Sequence, residues 1–176
     1  MPILYFAISS SYLSNEVRVT GAIGNDFNHS DLKTLTSRGI NIDGIVDLDV
    51  KTFRWEGKYE SKSPNDAITL SNSIIRGESN VLDSYKPSLF SKDENTEEKF
   101  NLFLANGDPS HQLDLINQMT NRAELIGLDT MDFWINNSPD KVKKLFPEID
   151  VLIINENEAK LLTNKNSLKN CIDDLY

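Results

Sequence analysis

One cysteine, Cys171, occurs among 176 residues. No intrachain disulfide can form from it, and no metal site built on several thiolates can be assembled. That usage fits a reducing compartment, so the expected location is cytoplasmic. Histidine is nearly as scarce, with only His29 and His111. Both fall near expected helix starts with no evident Ser or Cys nucleophile beside them, so they read as surface residues rather than a catalytic pair. The sequence has no His-Glu-x-x-His, no Walker-type phosphate loop and no Gly-x-Gly-x-x-Gly fingerprint. No apolar run approaches the length of a membrane span. The apolar stretch Met1 to Ile8 has no basic flank and runs into Ser9, Ser10 and Ser11, which does not read as a signal peptide. Positive charge is in deficit: 18 Lys and Arg stand against 27 Asp and Glu, a formal charge of -9. Such a surface repels phosphate backbones and anionic lipid, which argues against nucleic-acid and membrane partners. A small-molecule ligand meeting a local basic patch is still compatible with it.

What is present is ordinary for a soluble globular chain, 39% hydrophobic and 26% charged, and long enough for one domain with a sizeable core. Tyr5 to Leu13 carries a helical rhythm, and Val17, Val19, Ala22 and Ile23 form a short buried strand ending at the turn Gly24-Asn25-Asp26. Asp31 to Ser37 reads as a short helix with an acid in its first turn and Gly39 closing it. From Thr52 to Glu60 the pattern alternates. Phe53, Trp55 and Tyr59 fall on one face, and Thr52, Arg54, Glu56, Lys58 and Glu60 on the other. That predicts a half-buried antiparallel strand, with Ile45–Leu48 and Ala67–Leu70 as its expected partners. Gly77 to Glu98 is polar, with a short helix expected around Val81 to Tyr85. After Phe100 the rhythm becomes regular. Strands are expected at 101–105, 124–128 and 150–154. Helices are expected at 109–119, opened by Pro109, then at 131–135, at 139–145 with Ser138 as cap, at 156–162 and from 167 onward. Strands alternating with helices imply an α/β fold with a parallel sheet and flanking helices, and 45–70 adds a small protruding sheet.

Ligands of parallel α/β sheets bind beyond the carboxyl ends of the strands. That rule selects Asn25 and Asp26, Asn106 and Asp108, Asp129 and Asp132, and Asn155 and Glu158. Each is also an ordinary turn or cap residue, and the collection says more than any member. The sharpest local feature is Asn155-Glu156-Asn157-Glu158. Its spacing can form a capping box. It can equally set an amide and a carboxylate beside a helix N-terminus, where phosphate and hydrated Mg²⁺ are accommodated. The spacing alone does not choose between the two.

Several stretches together resemble the ribokinase-like, or PfkB-type, carbohydrate kinases. Val17 to Phe27, with Gly21, Gly24 and Asp26, is similar to the family's Val-Gly-x-Val-Gly-x-Asp segment. Arg38-Gly39-Ile40 is similar to the helix end that leads into the lid. Lys51 to Glu60 is similar to a lid strand, and Asp150 to Glu158 to the strand followed by Asn-x-x-Glu. The likeness runs in order along nearly the whole chain.

It implies a single partial kinase domain over 1–176 with a β lid inserted at about residues 43–72. It also implies transfer of the γ-phosphoryl group of ATP, with Mg²⁺, to a hydroxyl of a sugar or nucleoside. Asn155 and Glu158 would organise metal, water and phosphate. Thr52 and Arg54 are weaker candidates for substrate contact, as are Asn106, Asp108 and Asp129. The family's Gly-Ala-Gly-Asp, with its anion hole and catalytic aspartate, does not occur here. The catalytic group is therefore expected beyond Tyr176, and the family's first strand and sugar-gripping aspartate before Met1. The expectation is a fragment inactive alone, and marginal or aggregation-prone because its sheet lacks neighbours. A non-catalytic metabolite-binding or subunit-interaction module on the same fold is the alternative. The apolar face of Phe53, Trp55 and Tyr59 could mediate a lid-to-lid homodimer.

Overall fold

The computed structural model describes residues 2–60, 63–86, 99–119 and 123–175. The chain divides into two compact units, residues 1–58 with 69–96, and residues 59–68 with 97–176.

In the first unit, helix α1 (Pro2–Ser10) precedes strand β1 (Arg18–Gly24). A 3₁₀ turn (His29–Leu32) leads into the short helix α2 (Lys33–Thr36), and strand β2 (Asn41–Leu48) follows. The helix expected at 31–37 is thus split. Asn28 caps its 3₁₀ part by accepting from the Ser30 N–H at 3.1 Å. Gly39, at φ +74°, ends the turn after α2, a conformation that costs glycine little. β1 and β2 pair in parallel, from Thr20 opposite Gly44 to Gly24 opposite Leu48. Ala7, Val19, Leu35 and Ile40 are buried between them, with Ile3, Val17, Ile42 and Ile45 packed around.

The pairing of β2 corrects one expectation. Ile45–Leu48 lies alongside β1, not against the strand that begins after Lys51. Ile42 and Ile45 join the core through this parallel register, which an antiparallel pairing elsewhere would forfeit. Among the described residues this sheet has two strands, β3 (Trp55–Glu60) and β4 (Ser63–Asn72), and β4 contains the expected partner 67–70. β3 starts at Trp55 rather than Thr52 because the preceding residues bond elsewhere. The Trp55 indole lies over Gly57, where an added Cβ would fall 2.0 Å from the ring. Its Nε1–H donates to Thr69 Oγ1 at 3.0 Å. Phe53 is half-buried, Ile68 and Leu70 are exposed, and the side chain of Tyr59 lies outside the described set. Helix α3 (Val81–Ser84) stands where expected, opened by a reciprocal Asn80–Asp83 box. The rest of the 77–98 reading falls largely on 87–98, outside the described residues.

The second unit carries the regular alternation. Strand β5 (Phe100–Leu104), helix α4 (Pro109–Met119) and strand β6 (Ala123–Asp129) come first. Helices α5 (Asp132–Asn137) and α6 (Pro139–Lys143) lead through a 3₁₀ turn (Phe146–Glu148) to strand β7 (Val151–Ile153). Helices α7 (Glu156–Thr163) and α8 (Leu168–Leu175) complete it. The sheet order is β5-β6-β7, all parallel. Leu104, Ile116, Ile126, Leu128 and Leu145 form its core. Pro109 opens α4, where a missing N–H costs nothing. Ser138 precedes α6 but makes no side-chain cap. Its carbonyl instead accepts from the Lys141 and Val142 N–H groups at 3.0 and 3.1 Å. Among the described residues, no helix is long and apolar enough to cross a membrane.

Candidate functional site

Parallel pairing puts the carboxyl ends of β5, β6 and β7 along one edge of their sheet. Leu104 stands opposite Leu128, and Asp129 opposite Ile153. The chain leaves that edge at Asn106, Thr130 and Asn155. Three of the strand-end positions selected from the sequence, Asn106, Asp129 and Asn155, are therefore at the same end of one sheet.

Asp129 is held there by backbone. The Asn106 N–H donates to its Oδ2 at 3.3 Å. Burial pushes the pKa of this carboxyl up from its ordinary value, while the neighbouring Asn106 and Thr130 backbone amides pull it back down. The Asn106 side-chain amide donates to Met131 Sδ at 2.9 Å. Gln112, on the buried side of α4, donates through Nε2 to the carbonyls of Ala105 at 2.9 Å and Asp129 at 3.1 Å. Asn106 Oδ1, Gln112 Oε1 and Thr130 Oγ1 are buried with no hydrogen-bond partner. Asp108 is committed to the start of α4, its Oδ1 accepting from the Ser110 N–H at 2.7 Å. Asp132 Oδ1 accepts from the N–H of Phe133 at 2.8 Å. Sequence reasoning passed over Gln112 and Thr130. The available signal was a glutamine four residues before Ile116, on the apolar stripe of an amphipathic helix.

At the tip of β7 the capping box is formed. The Asn155 N–H donates to Glu158 Oε2, and the Glu158 N–H to Asn155 Oδ1, both at 2.9 Å. The two side chains stand together at the N-terminus of α7, where the helix dipole is positive. Each of those oxygens has a second lone pair that can accept from water.

The first unit holds a separate arrangement. Asp26, just past β1, takes two bonds from the segment before β3. The Thr52 N–H donates to Oδ1 at 2.7 Å, and the Arg54 Nη2 donates to Oδ2 at 2.8 Å, closing an ion pair. Thr52 Oγ1 in turn accepts from the Gly24 N–H at 2.9 Å, and the Asn25 N–H donates to the Val50 carbonyl at 2.9 Å. Residues 50–54 are thereby laid across the end of β1. Thr52 and Arg54, expected on the polar face of a strand, sit instead in this clamp with Asp26.

The bond from the Thr52 backbone, then the Arg54 guanidinium, hold the Asp26 carboxyl far below the usual carboxylate range. A depressed carboxyl stabilises the fold above its unfolded value near ~3.9 and loses that contribution as pH falls toward the folded value. Wild type should therefore be more stable than Asp26→Asn at pH 6, and the gap should shrink progressively below about pH 4. Urea midpoints of both proteins at pH 6 and pH 2 test it. An unchanged gap would show that the clamp does not depend on the charge of Asp26.

A family model described as pfkB family carbohydrate kinase matches residues 6–175. No curated protein matches the chain. Among solved structures, a nucleoside kinase of Methanocaldococcus jannaschii, an archaeal member of the ribokinase family, is similar. Its TM-score is 0.64 at 16% identity, covering 96% of this chain and 53% of that one. A fructokinase of Vibrio cholerae O395, solved with fructose, ADP and calcium ion bound, gives 0.64 at 17%, covering 96% and 56%. A ribokinase of Cryptococcus neoformans var. grubii serotype A, in complex with ADP, gives 0.60 at 18%, covering 96% and 51%. The chain spans about half the length of these structures. At such identities the likeness establishes the fold.

Proposed function

This chain belongs to the pfkB family of carbohydrate kinases, and from that premise we propose that it is part of an ATP-dependent kinase acting on a sugar or nucleoside hydroxyl, inactive as these 176 residues alone. The observation that carries the reading is the shared edge of β5, β6 and β7. There an Asn-x-x-Glu helix start stands at the same end of the sheet as Asn106 and Asp129.

In this reading the N-terminus of α7 receives the phosphate side of the reaction. Asn155 and Glu158 present oxygens at the N-terminus of α7, a donor set that would hold a hydrated Mg²⁺. Bound there, Mg²⁺ would supply neutralisation of phosphate charge. Asn106 and Asp129, with Asp108 in the same turn, take the acceptor hydroxyls. Within the first unit, Thr52 and Arg54 are separate candidates for substrate contact, and the Arg54 guanidinium has donors besides the Nη2 bonded to Asp26. Phosphoryl transfer depends mainly on positioning and charge stabilisation, so these residues bind and orient. The group that takes the hydroxyl proton is a different matter. The sequence has no Gly-Ala-Gly-Asp to supply it, and the reading places that aspartate in polypeptide outside these residues.

The test is ADP release with ATP, Mg²⁺ and a panel of sugars and nucleosides. The purified 176-residue chain is expected to give the rate of a protein-free blank. Release above that blank would remove the claim of inactivity. A longer in-frame product carrying Gly-Ala-Gly-Asp is expected to release ADP with at least one of the panel. Such a product at blank level throughout would overturn the kinase reading.

A further inference from the structure

Gln112 is only 3% exposed, on the same side of α4 as the fully buried Ile116 one turn later. Packing alone is served there by an apolar residue, and a glutamine brings a cost: its Oε1 is buried without a partner. The side chain's orientation is nonetheless determined. Its Nε2 donates to the Ala105 carbonyl at 2.9 Å and the Asp129 carbonyl at 3.1 Å. Turning the amide over would set Oε1 against two carbonyl oxygens, so the donors must face them.

Those two carbonyls belong to particular peptide groups. The Ala105 carbonyl shares a peptide plane with the Asn106 N–H, and the Asp129 carbonyl with the Thr130 N–H. On the opposite side of the first peptide, the Asn106 N–H donates to the Asp129 carboxylate at 3.3 Å. A trans peptide is planar, and its C=O and N–H point in opposite directions. Fixing the two carbonyl directions therefore fixes the directions of the Asn106 and Thr130 N–H groups. One amide, reaching up from α4, holds the ends of β5 and β6 together and aims the Asn106 N–H at the carboxylate.

We infer that Gln112 is a positioning residue, whose side-chain amide ties the carboxyl ends of β5 and β6, fixes the two peptides that leave them and so orients the Asn106 N–H onto the Asp129 carboxylate. Asn106 and Asp129 are thereby set before any ligand arrives, and a site held in this way needs no reorganisation on binding. That they face an acceptor substrate rests on the kinase reading. The strap itself does not, and its test involves no activity.

In the isotope-labelled 176-residue chain, scalar couplings across the hydrogen bonds are expected from Gln112 Nε2 to the carbonyl carbons of both Ala105 and Asp129. Absence of both would overturn the proposal in the wild-type protein, whatever any variant does. Gln112→Met keeps the length and fills the space without an amide. Hydrogen exchange at the Asn106 and Thr130 amides is expected to quicken about tenfold in it, while the Ile116 and Leu128 amides stay within about twofold. Gln112→Glu, a carboxylate with no donor for the carbonyls, is expected to behave like the methionine variant. Uniform acceleration across all four amides, or none at the first two, would show that Gln112 packs and does not position.

Discussion

Gly24→Ala is expected to destabilise the first unit by roughly 3 kcal/mol or more, at the severe end for one added methyl. A Cβ on Gly24 would fall 2.3 Å from both the Thr52 nitrogen and the Val50 oxygen, and 2.4 Å from the Lys51 carbonyl carbon. All three are backbone atoms, which cannot swing aside as a side-chain tip can. The segment 50–54 would have to lift from the end of β1. The bonds from Gly24 to Thr52, from Asn25 to Val50 and from Thr52 and Arg54 to Asp26 would be strained together. The effect should therefore exceed the loss of any one of them. Gly21→Ala, on the same strand with nothing within 4 Å of the added carbon, is the control. It should change the urea midpoint little. Equal midpoints for the two variants would mean that the close approach at Gly24 is not maintained in solution.

Leu128→Ala is expected to cost about 2–5 kcal/mol in the second unit. Leu128 is fully buried among Leu104, Ile116, Ile126 and Leu145, near the carboxyl end of β6, the central strand with β5 and β7 on either side. Truncation removes apolar contact and leaves a cavity that three paired strands cannot readily close. Leu125, on the same strand but 42% exposed, provides the comparison, with Leu125→Ala expected to cost less than about 1 kcal/mol. Urea unfolding followed by circular dichroism separates the two. A loss at position 128 no larger than at 125 would show that this core is loosely packed.

Both residues bear on the site as well as on stability. Gly24 sets the seam on which Asp26 and Arg54 meet. Leu128 precedes Asp129 in the strand, so a shift of its backbone moves the carboxylate to which the Asn106 N–H donates.

Much of the second unit was legible from residues alone. Alternation of short apolar runs with 3.6-residue stripes placed β5, α4, β6 and α7 within a few residues of where they stand. Pro109 marked the start of α4, and the Asn155–Glu158 spacing announced a box that forms with both bonds at 2.9 Å. These are local signals, written over three or four residues by the geometry of a helix end. The region 41–60 was read less well. Alternation from Thr52 to Glu60 separated two faces but carried no information about which strand lay alongside. Ser138, a residue type favoured as a cap, left its side chain out of the helix start. Ser138 also ends α5, and its ψ of 47° is not the extended backbone from which a capping hydroxyl reaches the next N–H groups.

The sequence by itself determined the order of elements and the parallel α/β class, because both depend on periodicity, and its motifs carried the resemblance to the family. Only the tertiary structure decided that β2 lies on β1, that Asp26 holds Arg54 across 28 residues and that Gln112 bridges two strand ends. Those bonds join groups far apart in the chain. Their worth depends on the closeness and burial that folding creates, and one-dimensional spacing does not encode either.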